Sequence, residues 1–311
     1  VYNIYQRASF KLIEVDLGKD GDKGKAADAF VAFYEEFPVA ETAAQALNNA
    51  SVYYFDEKRV ADAMRVRHIL IDDPKFGAKT KYYYEQVLAL GFAYEGIADF
   101  ERAADYYEKI FTLYPDRRKK LEKDAPDKLE QLDSDASGSI YSAALFRNAL
   151  GDWKAAIANY GKFVEKFPEH ENALNTRLTI ARLYEDNEDW TSAANAYVQF
   201  YTKSGKDADS GMVWFARLHH GKCLEKLNQR DKAIKIYEQG ATEYSKYVDG
   251  GGEAVGHTEI AAEMMFVLAQ KGFDTYADMD LKGAGPGASR KSEDKALAAS
   301  LKNKNTARTE T

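Results

Sequence analysis

Apolar residues fall at three- and four-residue intervals along most of the chain, the spacing of one helical face. The clearest runs end in proline: Ala29-Phe30-x-x-Phe33-Tyr34-x-x-Phe37-Pro38, Tyr106-Tyr107-x-x-Ile110-x-x-x-Tyr114-Pro115 and Tyr160-x-x-Phe163-Val164-x-x-Phe167-Pro168. Proline lacks an N–H and restricts the residue before it, so Pro38, Pro74, Pro115 and Pro168 each predict a helix stop. A second helical segment with small residues lies ahead of each run. Gly91, Ala144, Ala181 and Gly221 stand on the first helix of a pair, and Ala103, Ala156, Ala193 and Ala233 on the second. Small side chains there let two helices approach closely, and the intervening Tyr and Phe residues fill the space between successive pairs.

The unit recurs. Tyr84–Pro115 carries Leu90-Gly91, Tyr94, Gly96, Phe100, Ala103, Tyr107, Ile110 and Pro115. Further copies read Ala143-Ala144, Gly151, Trp153, Ala156, Tyr160, Phe163, Pro168; then Ile180-Ala181, Tyr184, Trp190, Ala193, Tyr197, Phe200; then His220-Gly221, Leu224, Ala233, Tyr237. These offsets resemble the tetratricopeptide family, whose repeat is about 34 residues. The resemblance covers residues 1–280, with two weaker copies ending at Pro38 and Pro74 and a partial one from Ala254. It implies an all-α fold, a right-handed α-solenoid of antiparallel helix pairs with about six repeats plus a partial seventh.

Two segments interrupt the pattern. Asp116–Gly138 is dominated by charge and reads as a solvated helix extension plus loop, with a partner-docking protrusion as the sharper alternative. Gly250-Gly251-Gly252 opens a connector over Asp249–Gly256, and Gly283–Ser289 is a second break. Residues 281–311 then form a basic, poorly packed tail or the start of a further repeat, with Ser292 as a helix cap ahead of Glu293 and Asp294. The chain opens at Val1 without a basic and apolar leader, and a longer natural protein is expected at one or both ends.

Composition narrows the function classes. With 311 residues, 45% hydrophobic, and only 21 Gly and 6 Pro, the chain is neither collagenous nor disordered in bulk. The formal net charge of −7 argues against a nucleic-acid partner. Cys223 is the single cysteine, so an internal disulfide and multi-cysteine metal sites are excluded. No apolar run approaches the length of a membrane-spanning helix.

No motif predicts catalysis, a metal or a cofactor. His219 and Cys223 share a helix face beside His220, yet no second His/Cys group completes a zinc set, and His220 falls where helices pack. Ser292-Glu293-Asp294-Lys295 matches a Ser-x-x-Lys string without its companion motifs. Gly283-Ala284-Gly285-Pro286-Gly287 lacks the strand and the Gly-Lys-Ser/Thr of a phosphate loop. Asn49-Ala50-Ser51 is a glycosylation triplet inside a helix, and Glu185, Asp186, Glu188 and Asp189 surround a turn.

The resemblance also implies a concave groove lined by the first helix of each pair, which holds a peptide or a partner helix. The positions facing it are Leu47, Ser51 and Tyr54; Leu88, Phe92 and Glu95; Tyr141, Leu145 and Asn148; Leu178, Arg182 and Glu185; and Leu218, Lys222 and Glu225. Leu88, Phe92 and Tyr141 stand where chaperone-tail readers of the family place a basic clamp, so a chaperone carboxylate is not the expected ligand. The groove begins apolar and turns charged toward Arg182–Glu225, as helix or extended-peptide binding requires. The competing expectation is that some of these side chains pack on a neighbouring repeat.

The phrases Ala27–Pro38 and Ala156–Pro168 resemble bacterial envelope tetratricopeptide proteins, including outer-membrane assembly lipoproteins and myxobacterial gliding-motility components. That resemblance implies a non-catalytic scaffold in the periplasm or cell envelope of a Gram-negative bacterium. A cytoplasmic adaptor and a non-catalytic segment of a larger enzyme stay open beside it.

Overall fold

The computed structural model describes residues 2–204, 209–253, 257–277, 279 and 289–309, and all regular secondary structure among them is helical. The chain forms two compact units. Unit 1, Val1–Pro168, holds α1 (Tyr2–Asp20), α2 (Lys23–Glu36), α3 (Ala43–Asp56), α4 (Val60–Asp72), α5 (Tyr83–Gly96), α6 (Phe100–Asp124), α7 (Leu129–Ala149) and α8 (Trp153–Lys166). Unit 2, Glu169–Thr311, holds α9 (Ala173–Asp186), α10 (Trp190–Gln199) with a π turn at Phe200–Ser204, α11 (Ser210–Lys226), α12 (Arg230–Asp249), α13 (Thr258–Ala277) and α14 (Arg290–Thr309). Both units are stacks of helix pairs, as the repeat pattern predicts.

The small residues explain the pairing. Ala63, Ala103, Ala156, Ala193 and Ala233, one on each second helix from α4 to α12, are fully buried. On the first helices, a Cβ at Gly91 would sit 2.7 Å from the Tyr107 ring and one at Gly221 would collide with Tyr237. Glycine at these two places is therefore a packing requirement. Each pair turns through one residue at positive φ: Lys58, Ala98, Gly151, Glu188 or Asn228. Asp99, Asp152 and Asp189 then cap α6, α8 and α10, accepting from the N–H three residues on at 3.2, 3.1 and 3.1 Å.

Three prolines act as expected and one does not. Pro38, Pro74 and Pro168 follow the ends of α2, α4 and α8, whereas Pro115 lies inside α6, which runs on to Asp124. The expected solvated excursion over Asp116–Gly138 is thus corrected. Its apolar residues fall on one face, so Leu121, Leu132 and Ala136 are buried with Tyr114 in one core cluster. The Tyr114 hydroxyl donates to Asp133 at 2.7 Å and Arg118 pairs with the same carboxylate at 3.1 Å, joining α6 to α7. The segment lengthens a helix pair.

In unit 2, Gly250 ends α12 and Gly251 takes a φ of +87°. The end helix α14 begins at Arg290, with the Ser289 hydroxyl rather than Ser292 at its cap. Leu297 and Leu301 are exposed on it, and Lys304 donates to the Met279 carbonyl at 3.0 Å. Residues 254–256 and the Gly283–Gly287 run lie outside the described residues.

Candidate partner-binding face

The register of the pairs defines the face. Taking Gly91 as the mark, equivalent positions are Ser51, Ala144, Ala181 and Gly221. Three columns of the first helix then follow: Asn48, Leu88, Tyr141, Leu178, Leu218; Val52, Phe92, Leu145, Arg182, Lys222; and Phe55, Glu95, Asn148, Glu185, Glu225. The expected groove residues on α5, α7, α9 and α11 obey this register. Those on α3 are one residue out.

A slip of one residue rotates a position by about 100° around the helix. Leu47, Ser51 and Tyr54 are accordingly core: none exceeds 2% exposure. Tyr54 donates to Asp28 at 2.7 Å, and Ser51 donates to Gln86 at 3.2 Å. Leu218 is in register but 3% exposed, closed over by the core of α11 to α13. These four are removed from the groove for the same reason, that each is buried and already engaged by its neighbours in the stack. Val52 and Phe55 take their place, 43% and 46% exposed.

The first column packs. Leu88 leans on the α5/α6 core, Leu178 on the α9/α10 core, and Tyr141 lies against Tyr160 and Phe163 with centroids 5.7 and 5.3 Å apart. The middle column stands out from each helix. In unit 1 it is apolar, with Phe92 57% and Leu145 43% exposed; in unit 2 it is the basic pair Arg182 and Lys222.

The third column is engaged from within. The Tyr107 hydroxyl donates to Glu95, the Tyr197 hydroxyl to Glu185, and the Tyr237 hydroxyl to Glu225 at 3.2 Å. Burial followed by the facing carboxylate raises the Tyr107 and Tyr197 hydroxyls far above their ordinary value, and burial raises Tyr237 as well. Asn148 breaks the series on α7, where burial, followed by the neighbouring Tyr141, lifts Tyr160 to about 12. These glutamates brace a helix pair while their outer edges border the face.

Within unit 2, a cleft of about 690 Å³ is lined by Arg182, Glu185, Trp190, Phe215, His219 and Lys222, among others. His219 stacks on Phe215 at 4.0 Å and its Nδ1 lies 2.8 Å from Glu185. Burial raises Glu185, but hydrogen bonds from His219 and Tyr197 outweigh it and hold the carboxyl below its ordinary value. Lys222 pairs with Glu263 at 2.7 Å, and Arg182 lies 5.8 Å over the Phe215 ring. The sequence marks Arg182, Glu185 and Lys222; it does not mark Phe215 and Trp190, whose ring spacing reads as core.

Nothing here builds a reactive centre. Cys223 is fully buried and burial pushes its thiol up to about 12, the opposite of an activated nucleophile. His220 is buried against the Tyr201 hydroxyl at 3.0 Å, and burial depresses it to about 4. Among the described residues no group of His, Cys, Asp and Glu could hold a metal, and no helix is long and apolar enough to cross a membrane. Ser292 and Lys295 lie on the exposed face of α14.

One position departs from the register in kind. Where other pairs place Gly91/Glu95/Tyr107, Ala181/Glu185/Tyr197 and Gly221/Glu225/Tyr237, the α3/α4 pair places Ser51/Phe55/Arg67. Arg67 is 6% exposed, its guanidinium lies 5.3 Å over the Phe55 ring, and its Nε and Nη1 have no hydrogen-bond partner among the described residues.

Stacked helix pairs with a small residue under a ring define a helical-repeat protein. Residues 82–117, 139–170 and 215–246 match the tetratricopeptide repeat profile, and these three segments are tetratricopeptide repeats. Tetratricopeptide repeats are a protein-interaction architecture, typically non-catalytic. No curated protein matches the chain. Among solved structures, a tetratricopeptide repeat protein from Parabacteroides merdae is 12% identical over 94% of this chain and 99% of its own, with a TM-score of 0.37. The yeast Sti1 TPR2AB domain in complex with an HSP90 peptide is 14% identical over 85% of this chain and 98% of its own, at 0.30. The RpL4 assembly chaperone Acl4 is 14% identical over 84% and 96%, at 0.37.

Proposed function

We propose that the chain is a non-catalytic interaction scaffold that takes a peptide or helix of a protein partner along the first-helix face of its pairs. The observation that carries this is the middle column in unit 1, where Val52, Phe92 and Leu145 stand 43%, 57% and 43% exposed at equivalent positions on three helices. Phe92 rests edge-on against Tyr107 with centroids 5.7 Å apart, yet most of each of these side chains stays open to solvent, and a row of apolar groups at one register position suits an apolar partner segment. The partner is a protein rather than a nucleic acid, supported by the net charge of −7. The setting is a cell-envelope or motility assembly of a Gram-negative bacterium, in the periplasm or at the envelope. The likeness of Ala27–Pro38 and Ala156–Pro168 to envelope repeat proteins supports it.

The test is affinity capture from native lysate split into envelope and cytosol, with wild type beside Phe92→Glu/Leu145→Glu. Both side chains are largely exposed, so the variant is expected to keep its fold, which its helical signal and melting temperature check. Envelope proteins held by wild type alone sustain the proposal; cytosolic partners alone make the chain a cytoplasmic adaptor. Capture unchanged by the two substitutions moves the interface off this face.

A further inference from the structure

The α3/α4 pair has the ring position without the ring and the acid position without the acid. In three other pairs a tyrosine on the second helix donates to a glutamate on the first. At the same register Arg67 replaces the tyrosine, and the place of the glutamate is taken by Phe55, which holds no acceptor. A guanidinium shut from water with unpaired N–H groups is costly, and the cost is relieved by an anion in contact. Phe55 lies against the guanidinium and is itself 46% exposed on the partner-binding face, three residues from exposed Val52. Beneath Phe55 the structure therefore holds a cation short of an acceptor, bordered by exposed apolar side chains.

We propose that Arg67 receives a carboxylate side chain of the bound partner, which supplies in trans the acid that Glu95, Glu185 and Glu225 supply within their own pairs. The inference rests on the scaffold proposal and names the chemistry of the partner: an Asp or Glu flanked by a large apolar residue that lies on Phe55 and Val52. One guanidinium matches one carboxylate in charge, and a charge-assisted hydrogen bond made away from water is strong enough to select for it. Ser51 is buried and donates to Gln86, which donates in turn to Asn48 at 2.9 Å, and the Ser51 oxygen accepts nothing from Arg67 Nε or Nη1.

The experiment selects short random peptides displayed against the full chain, then measures each winner by fluorescence anisotropy with its acid intact or changed to the amide. Wild type is compared with Arg67→Met and with Ser51→Ala/Phe55→Glu/Arg67→Tyr, which copies the Ala181/Glu185/Tyr197 arrangement. Winners with an acid beside an apolar residue are expected, and the amide should weaken wild-type binding about tenfold or more. In both variants acid and amide should bind alike. The free Arg67→Met protein should also melt higher than wild type, because an unpaired buried charge is removed. Winners without an acid, or an acid preference kept by Arg67→Met, overturn the proposal and leave the scaffold standing. A lower melting point for Arg67→Met overturns it too, since the guanidinium would then have its anion inside the chain. If no peptide is enriched, this proposal and the scaffold reading both fail.

Discussion

The α5/α6 and α11/α12 pairs are built on one plan, 130 positions apart, and differ only where the plan allows. In each, a glycine lies under a tyrosine ring and the tyrosine hydroxyl bonds the glutamate four residues beyond the glycine. Around that shared interior, Leu90 in one pair is His220 in the other, Phe92 is Lys222, and the turn residue Ala98 is Asn228. The interior admits few solutions because two helices meet there at contact distance. The outer face carries no such demand, so it is where one pair can turn apolar and the other basic. Partner chemistry belongs to the positions that packing leaves unspecified.

The largest effect should come from filling the shared contact. Gly91→Leu and Gly221→Leu push a side chain into the Tyr107 and Tyr237 rings, and each should cost about 3 kcal/mol despite the better helix propensity of leucine. Denaturant unfolding of the two variants measures it. If one is tolerated, the pairs do not share an interior and the comparison breaks.

Next comes the position where the interiors part. Burial, with Arg217 adding to it, holds His220 at about 4 in the folded chain against an ordinary 6.5. Between those limits the unfolded chain binds more protons, so α11/α12 loses stability as pH falls from about 6.5 toward about 4, on the order of 2–3 kcal/mol in all. Unfolding midpoints taken across that window should slope for wild type and flatten for His220→Leu, the residue type that α5 carries at this place. An undiminished slope would assign the acid sensitivity to other groups.

The turns sharpen the comparison on a smaller scale. Ala98 and Asn228 both hold positive φ, at 59° and 57°, which costs alanine more than asparagine. Ala98→Gly should gain about 0.5–1 kcal/mol and Asn228→Gly only a few tenths, read as shifts in melting temperature. Equal gains would show that the asparagine side chain contributes nothing at its turn.

The smallest effect is expected outside. Phe92→Glu and Lys222→Glu should each change stability by less than about 1 kcal/mol, the second including loss of the exposed Lys222–Glu263 pair. Leu88→Glu and Tyr141→Glu, on the adjacent column, should cost more because both lean on core side chains. A large loss from Phe92→Glu would make that ring structural and weaken its assignment to a partner.

Much of this fold is legible in the sequence because close helix approach leaves small residues and rings at fixed offsets, as Gly91, Ala103 and Tyr107 show. Proline alone was a weaker guide, right at Pro38, Pro74 and Pro168 and astray at the fourth place. Pro115 reads as a stop, but Leu121, Leu132 and Ala136 bury enough surface to carry α6 past it. The register of the first helices was legible on four of them and slipped by one residue on the fifth for a related reason. The α3 helix has Ser51 where others have Gly or Ala, so its register lacks the mark, and a one-residue slip exchanges Val52 and Phe55 for Ser51 and Tyr54. Burial of Leu218 depends on α13, a helix distant in sequence, and no local pattern announces it.

The tyrosine-to-glutamate bonds have a mechanical meaning as well. Each is a strut across a helix pair, so α5/α6, α9/α10 and α11/α12 resist being pried apart and behave as stiff planks. The α3/α4 pair has no such strut, and the connection that follows it, Asp73–Tyr82, holds only the short turn Gly77–Lys79. Load placed on unit 1 by a partner should therefore be absorbed as bending at α3/α4 and at α7/α8, where Asn148 leaves Tyr160 without an acid, with α5/α6 the stiff element between them.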